Sequence, residues 1–243
     1  MWGVTDAPAA HAGAVAVPTS ATPPLLTRLA AETLGSGVLG GTVIGSGIMA
    51  TLISNDAGVQ LLINAIATGA ALTVLIMVLG PVSGAQLNPA VTAALAADGR
   101  VPAREILPTV VAQLVGFVLG AVVANLMFGG AAVSISTTVR GEPGQLLGEV
   151  VAAAGLVAVI LTLVRRGQQS WVAAAVGLYI TSAYFATSST SFANPGITVG
   201  RMLSDSFAGI APESVLGFVA AQLIGAAIAV LTVRLLIAPR EGQ

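Results

Sequence analysis

The segment Leu87-Asn88-Pro89-Ala90-Val91-Thr92 returns almost unchanged as Ala193-Asn194-Pro195-Gly196-Ile197-Thr198, and each copy sits within the same series of apolar stretches. Those stretches cover about residues 26–52, 59–80, 104–128, 145–164, 170–187 and 213–237. Each approaches the ~20 residues that cross a ~30 Å hydrocarbon core. Three spans per copy is an odd number, so the second copy must lie upside down relative to the first. The predicted fold is all-α and integral to a membrane: six transmembrane helices plus two re-entrant half-helices in an inverted 3+3 repeat. Repeat one covers about residues 24–130 and repeat two about 141–238.

Composition supports a lipid-facing surface. Only 8% of the chain is charged and 56% is hydrophobic, whereas a soluble domain carries roughly a quarter of its residues as charges. A net charge of −1 leaves no broad field to draw in nucleic acid. Cysteine is absent, which removes disulfides, thiolate catalysis and cysteine metal sites together. The single histidine, His11, lies in residues 1–23, a stretch rich in Ala, Pro, Ser and Thr that reads as a disordered tail. No cofactor or metal is expected, and a membrane-embedded enzyme would lack a catalytic set. With the N-terminus inside, Arg28, Arg100, Arg104, Arg165, Arg166, Arg234 and Arg240 fall on the cytoplasmic side, and only Arg140 and Arg201 fall outside. That asymmetry predicts a multi-pass plasma-membrane protein with both termini cytoplasmic.

Between spans two and three, and again between spans five and six, lie Ser83–Leu95 and Ser191–Leu203, each too short to cross alone. Asn is a strong N-cap and Pro suits the first helical position, so Asn88-Pro89-Ala90 and Asn194-Pro195-Gly196 are helix starts. Inversion brings both starts to the bilayer midpoint, each carrying roughly half a positive charge from its helix dipole. Such a midpoint repels cations and hydronium. The two amide side chains there can donate to the oxygen of a passing molecule. The carbonyls of Gly84–Leu87 and Ser191–Ala193 supply acceptors along the way.

Other features repeat too. Ala112-Gln113-Leu114-Val115-Gly116 matches Ala221-Gln222-Leu223-Ile224-Gly225, and the first span of each half holds one carboxylate, Glu32 or Glu149. Gln113 and Gln222 read as ties between helices.

Ser83-Gly84-Ala85-Gln86-Leu87-Asn88-Pro89-Ala90-Val91-Thr92 resembles the SGAHLNPAVT-like signature of the aquaporin, or major intrinsic protein, family, and the resemblance runs over about residues 25–238. It implies a right-handed bundle, a homotetramer with one pore per subunit, and glutamates that accept hydrogen bonds from the loops bearing the Asn-Pro motifs. A proton relay is the rival role for Glu32 and Glu149. The second signature departs from the family, with Asn194-Pro195-Gly196-Ile197 where Asn-Pro-Ala-Arg is usual. The family's outer constriction carries over onto Thr68, Ser182, Ser191 and Ile197, none aromatic, charged or histidine. The resemblance thus implies a wide, neutral constriction. Arg201, one turn beyond Ile197, either supplies a charge to the outer vestibule or pairs with Asp205 or lipid headgroups. The expected function is a passive channel for water and small neutral solutes, glycerol or metalloid acids included, that excludes protons and ions. The alternative is an ion-coupled secondary transporter, which uses the same repeat architecture.

Overall fold

The computed structural model describes residues 22–237; the tail reading for residues 1–23, apart from its last two residues, and Arg240 lie outside them. Eight α-helices appear among the described residues: α1 (Leu25–Ile53), α2 (Ala57–Ser83), α3 (Pro89–Ala97), α4 (Ala103–Met127), α5 (Pro143–Arg165), α6 (Val172–Ala186), α7 (Pro195–Arg201) and α8 (Pro212–Leu236). Five of them, α1, α2, α4, α5 and α8, are long and apolar enough to cross a membrane. The sixth span, α6, has 15 residues and is preceded by a 3₁₀ turn over Gln169–Trp171. Helix and turn together reach about 28 Å, close to the hydrocarbon thickness. The short α3 and α7 occupy matching places in the two halves.

Glycines set the helix crossings. A Cβ on Gly116 would overlap the Thr33 carbonyl, and one on Gly120 would overlap the Gly37 carbonyl, so α1 and α4 meet backbone to backbone. Gly225 meets the Val150 carbonyl where α5 crosses α8 in the other half. Close approach through small residues is how helices associate in lipid, where no hydrophobic force drives them together. Gly120→Ala is expected to lower the melting temperature in detergent, through overpacking worth about 1–3 kcal/mol. Gly80→Ala, where no atom stands within 4 Å of an added Cβ, is the matched control and should not lower it.

At one end of the bundle, Asp98, just after α3, gathers arginines from the turn after α3 and from the end of α5. Its side chain is 4% exposed and accepts from Arg100 Nε at 3.0 Å and from Arg165 Nη2. Arg165 also donates to the Ile237 carbonyl at 2.7 Å, and Arg234 donates to the Ala97 carbonyl. Arg28 pairs with Glu105 through two bonds of 2.8 and 2.9 Å, joining the starts of α1 and α4. Burial pushes the Asp98 carboxyl upward, but the Arg165 and Arg100 guanidiniums outweigh it and hold the group below its ordinary value. Its contribution to stability is therefore complete above the ordinary carboxylate range and lost as pH falls through the depressed value. Asp98→Asn should melt below wild type at neutral pH, and the gap should close on acidification.

Candidate functional site

Two extended loops precede the half-helices and bend the same way. Ala85 and Leu87 take φ of 44° and 48°, and their counterparts Ser191 and Ala193 take 52° and 49°. Left-handed φ is uncommon for residues with a Cβ and is retained only where the surroundings enforce it. Here the enforcing groups are the two buried glutamates. Glu32 Oε1 accepts from Ser83 Oγ at 2.7 Å and Gln86 N at 3.0 Å, while Oε2 accepts from Leu87 N and Gln113 Nε2, both at 2.8 Å. Glu149 accepts from Phe192 N and Ala193 N, both at 2.8 Å, and from Gln222 Nε2 at 2.6 Å. Gln113 reaches on to Thr92 Oγ1 at 3.0 Å and Gln222 to Thr198 Oγ1 at 2.9 Å, so each glutamine ties its own half-helix to the carboxylate.

The half-helices begin as Asn-Pro dictates. Asn88 Oδ1 accepts from Ala90 N at 2.9 Å; Asn194 Oδ1 accepts from Gly196 N at 2.9 Å and Ile197 N at 3.3 Å. Capping orients each amide, leaving Nδ2 to face the opposite loop. Asn88 Nδ2 donates to the Ala193 carbonyl and Asn194 Nδ2 to the Leu87 carbonyl, each at 2.8 Å. The two halves are thus cross-bonded at their shared midpoint. An amide nitrogen carries two hydrogens, so one N–H of each remains.

Asn88 and Asn194 both line a cavity of about 700 Å³. It runs from a mouth bordered by Arg28, Arg100 and Gln169, past the two asparagines, to Tyr184, Phe192 and Arg201. Thr68, Ser191 and Ile197 line it near that same end. Ser182 does not: it stands exposed, and Tyr184 takes its place, buried and hydrogen-bonded through its hydroxyl to Thr68 Oγ1 at 3.0 Å. Two positions along a helix turn a side chain by about 200°, onto the opposite face. This end of the cavity is accordingly less neutral than the sequence implied. It holds two aromatic rings and a guanidinium.

Arg201 does not pair with Asp205. It is 2% exposed, donates Nε to the Ala208 carbonyl, and lays its guanidinium carbon 3.3 Å from the centroid of the Phe192 ring. Asp205 instead accepts from Thr137 N at 3.0 Å and Thr137 Oγ1 at 3.2 Å. The connection between α4 and α5 folds over this end: Ser134 N and Ser136 N donate to the Leu203 and Met202 carbonyls. It also delivers Arg140, whose guanidinium carbon lies 5.3 Å from the same Phe192 ring. Tyr184, Phe192 and Arg140 were not singled out from the sequence. Phe192 lay in plain view between Ser191 and Ala193, but Arg140 arrives by a loop without periodicity.

Among the described residues, no group of His, Cys, Asp or Glu is arranged to hold a metal ion.

The family model for "major intrinsic protein" matches residues 19–171. The chain is 46% identical over 217 residues to aquaglyceroporin AqpS of Rhizobium meliloti (strain 1021), covering 88% of this chain and 92% of that protein. It is 40% identical over 106 residues to aquaporin NIP1-1 of Arabidopsis thaliana, covering 44% of this chain and 35% of that one. In fold it is similar to the aquaglyceroporin from Plasmodium falciparum, with a TM-score of 0.70 at 19% identity over 88% of this chain and 98% of that chain. Two inverted half-helices cross-bonded at an asparagine midpoint, together with these likenesses over most of its length, place the chain in the major intrinsic protein family.

Proposed function

We propose that the chain is a passive channel for water and small neutral solutes, with glycerol foremost and undissociated metalloid acids as a further class. The observation that carries this reading is the asparagine pair. Each amide spends one N–H on the opposite loop and keeps one for a solute oxygen in the cavity that both residues line. Two donors on one water turn its hydrogens outward and interrupt a proton wire. The half-helix dipoles disfavour cations at the same point. Ile197 gives the outer end of the cavity an apolar wall against which a carbon backbone can lie. Thr68, Tyr184, Ser191 and Arg201, which line the same cavity, supply polar groups.

The glutamates act as loop supports in this reading, since every hydrogen bond recorded to them comes from a donor on a loop or a neighbouring helix. A coupling-ion site would need carboxylate oxygens with room for the ion. The arginine-rich end, where α1 begins and α8 ends, faces the cytoplasm of a plasma membrane by the positive-inside rule. Homotetramer assembly, one pore per subunit, rests on the family resemblance.

Stopped-flow light scattering on protein-containing liposomes tests the proposal, with sucrose and then glycerol as osmolyte. Rapid shrinkage in both, followed by fast re-swelling in glycerol alone, is expected. Shrinkage without re-swelling would mean that Tyr184 and Arg201 close the outer region to everything larger than water.

A further inference from the structure

Around Phe192 two guanidiniums meet without ion-pair partners. Arg140 donates Nε to the Gly209 carbonyl at 2.9 Å and Nη2 to the Phe207 carbonyl at 3.3 Å; Arg201 donates Nε to the Ala208 carbonyl between them. Three successive carbonyls of one loop therefore hold two cations. Carbonyl oxygens satisfy donors but do not neutralise charge. Among the described residues neither arginine forms a salt bridge. Asp205 is occupied by Thr137. The acid that acts on both through space is Glu149, whose oxygens are taken by Phe192 N, Ala193 N and Gln222 Nε2. One carboxylate against two guanidiniums leaves this end of the cavity positive.

The donors left over point to a ligand. Arg201 is 2% exposed and lines the cavity, yet both of its Nη groups lack a protein acceptor. The Ser191 hydroxyl, also lining the cavity, is buried with no hydrogen-bond partner. Arg140 does not line the cavity; half-buried beside the Phe192 ring, it retains Nη1 and contributes its charge. The Phe192 ring, 3.3 Å from the Arg201 guanidinium carbon, and the Ala208 carbonyl fix the group in place, which preorganises its remaining N–H groups. A planar fork of this kind fits the two oxygens of a carboxylate.

We propose that Arg201 and Ser191, with Arg140 adding its charge from beside the Phe192 ring, form a binding site for a small monovalent carboxylate, of formate or acetate size, at the outer end of the cavity. The bound anion lies across the route of neutral solutes and therefore slows their passage. This goes beyond neutral-solute conduction and does not depend on it, because binding is read directly.

The test compares sodium acetate with sodium chloride at equal ionic strength and neutral pH. The melting temperature of the purified protein reads binding, and water flux into liposomes with the salt outside reads obstruction. Acetate is expected to raise the melting temperature saturably and to slow flux over the same concentrations, with chloride far weaker. Arg140→Gln and Arg201→Gln should each raise the half-effect concentration, measured against that variant's own baseline, by roughly tenfold or more. Arg140→Lys, which keeps the charge but not the two bonds that hold it beside Phe192, should fall between. Should Arg201→Gln fail to fold, the two Arg140 variants carry the test. Equal effects of acetate and chloride, or an unchanged half-effect concentration in Arg140→Gln, would overturn the site.

Discussion

Glu149→Ala is expected to leave liposomes as impermeable to glycerol as empty ones. The substitution removes the acceptor of Phe192 N, Ala193 N and Gln222 Nε2, all buried. Each donor stranded away from water costs about 1–3 kcal/mol, and a whole domain is stable by only about 5–15 kcal/mol. The loop would also lose what holds Ser191 and Ala193 at positive φ. Glu149→Gln keeps one acceptor oxygen and sets an amide N–H against the remaining donors, so it should melt between wild type and Glu149→Ala. Glu32, with four donors of its own, should give the same order. The series separates support from proton relay. A relay carboxylate replaced by Gln would leave a protein as stable as wild type yet inactive, whereas here stability and flux should fall together.

The second large effect is expected at the midpoint. Asn194→Asp keeps an Oδ1 that caps α7, since Asp caps as well as Asn. The new oxygen replaces Nδ2 and faces the Leu87 carbonyl oxygen that Nδ2 now bonds. A donor for the passing solute is lost, and a negative charge stands where the two helix starts gather positive potential. Loss of one hydrogen bond at the midpoint, about 1.4 kcal/mol or more, slows glycerol at least tenfold. Proton leak, measured by dye quenching under a potassium diffusion potential, should rise in the same variant. Asn194→Leu removes cap, cross-bond and donor at once, and should lose flux without gaining leak. Equal leak in both would mean that disruption of the fold, and not charge, opens the path.

How far such a structure can be read from sequence depends on which interactions are local. Half-helix starts at Asn88 and Asn194 are local, because cap and first turn are written in adjacent residues. The inverted repeat follows from counting spans, and the observed helices end within a few residues of the apolar stretches. Pairing of Glu32 with Gln113, and Glu149 with Gln222, was visible only as the same order of residues in each half. The structure adds that both glutamines bond the carboxylate and a threonine of the half-helix. Register on α6 was not legible. That helix is short, and its polar residues Tyr179, Thr181, Ser182 and Tyr184 fall on more than one face, so nothing in its pattern favours Tyr184 over Ser182 as the inward residue. The surroundings of Arg201 were also hidden. Asp205 stands at the right spacing for a pair, but its carboxylate is claimed by Thr137, a residue from the α4–α5 connection. Contacts between two loops distant in sequence leave no periodic trace in either one.

Passive passage through an asparagine-lined midpoint requires that flux be independent of any driving ion. Glycerol entry into reconstituted liposomes is to be measured by light scattering with no gradient, with an inward sodium gradient, and with an inward proton gradient. Equal initial rates in all three, with no accompanying current, are expected of a pore whose carboxylates are locked into loop support. Entry that accelerates with one gradient, stalls without it and carries charge would contradict the channel and assign Glu32 or Glu149 to ion coupling.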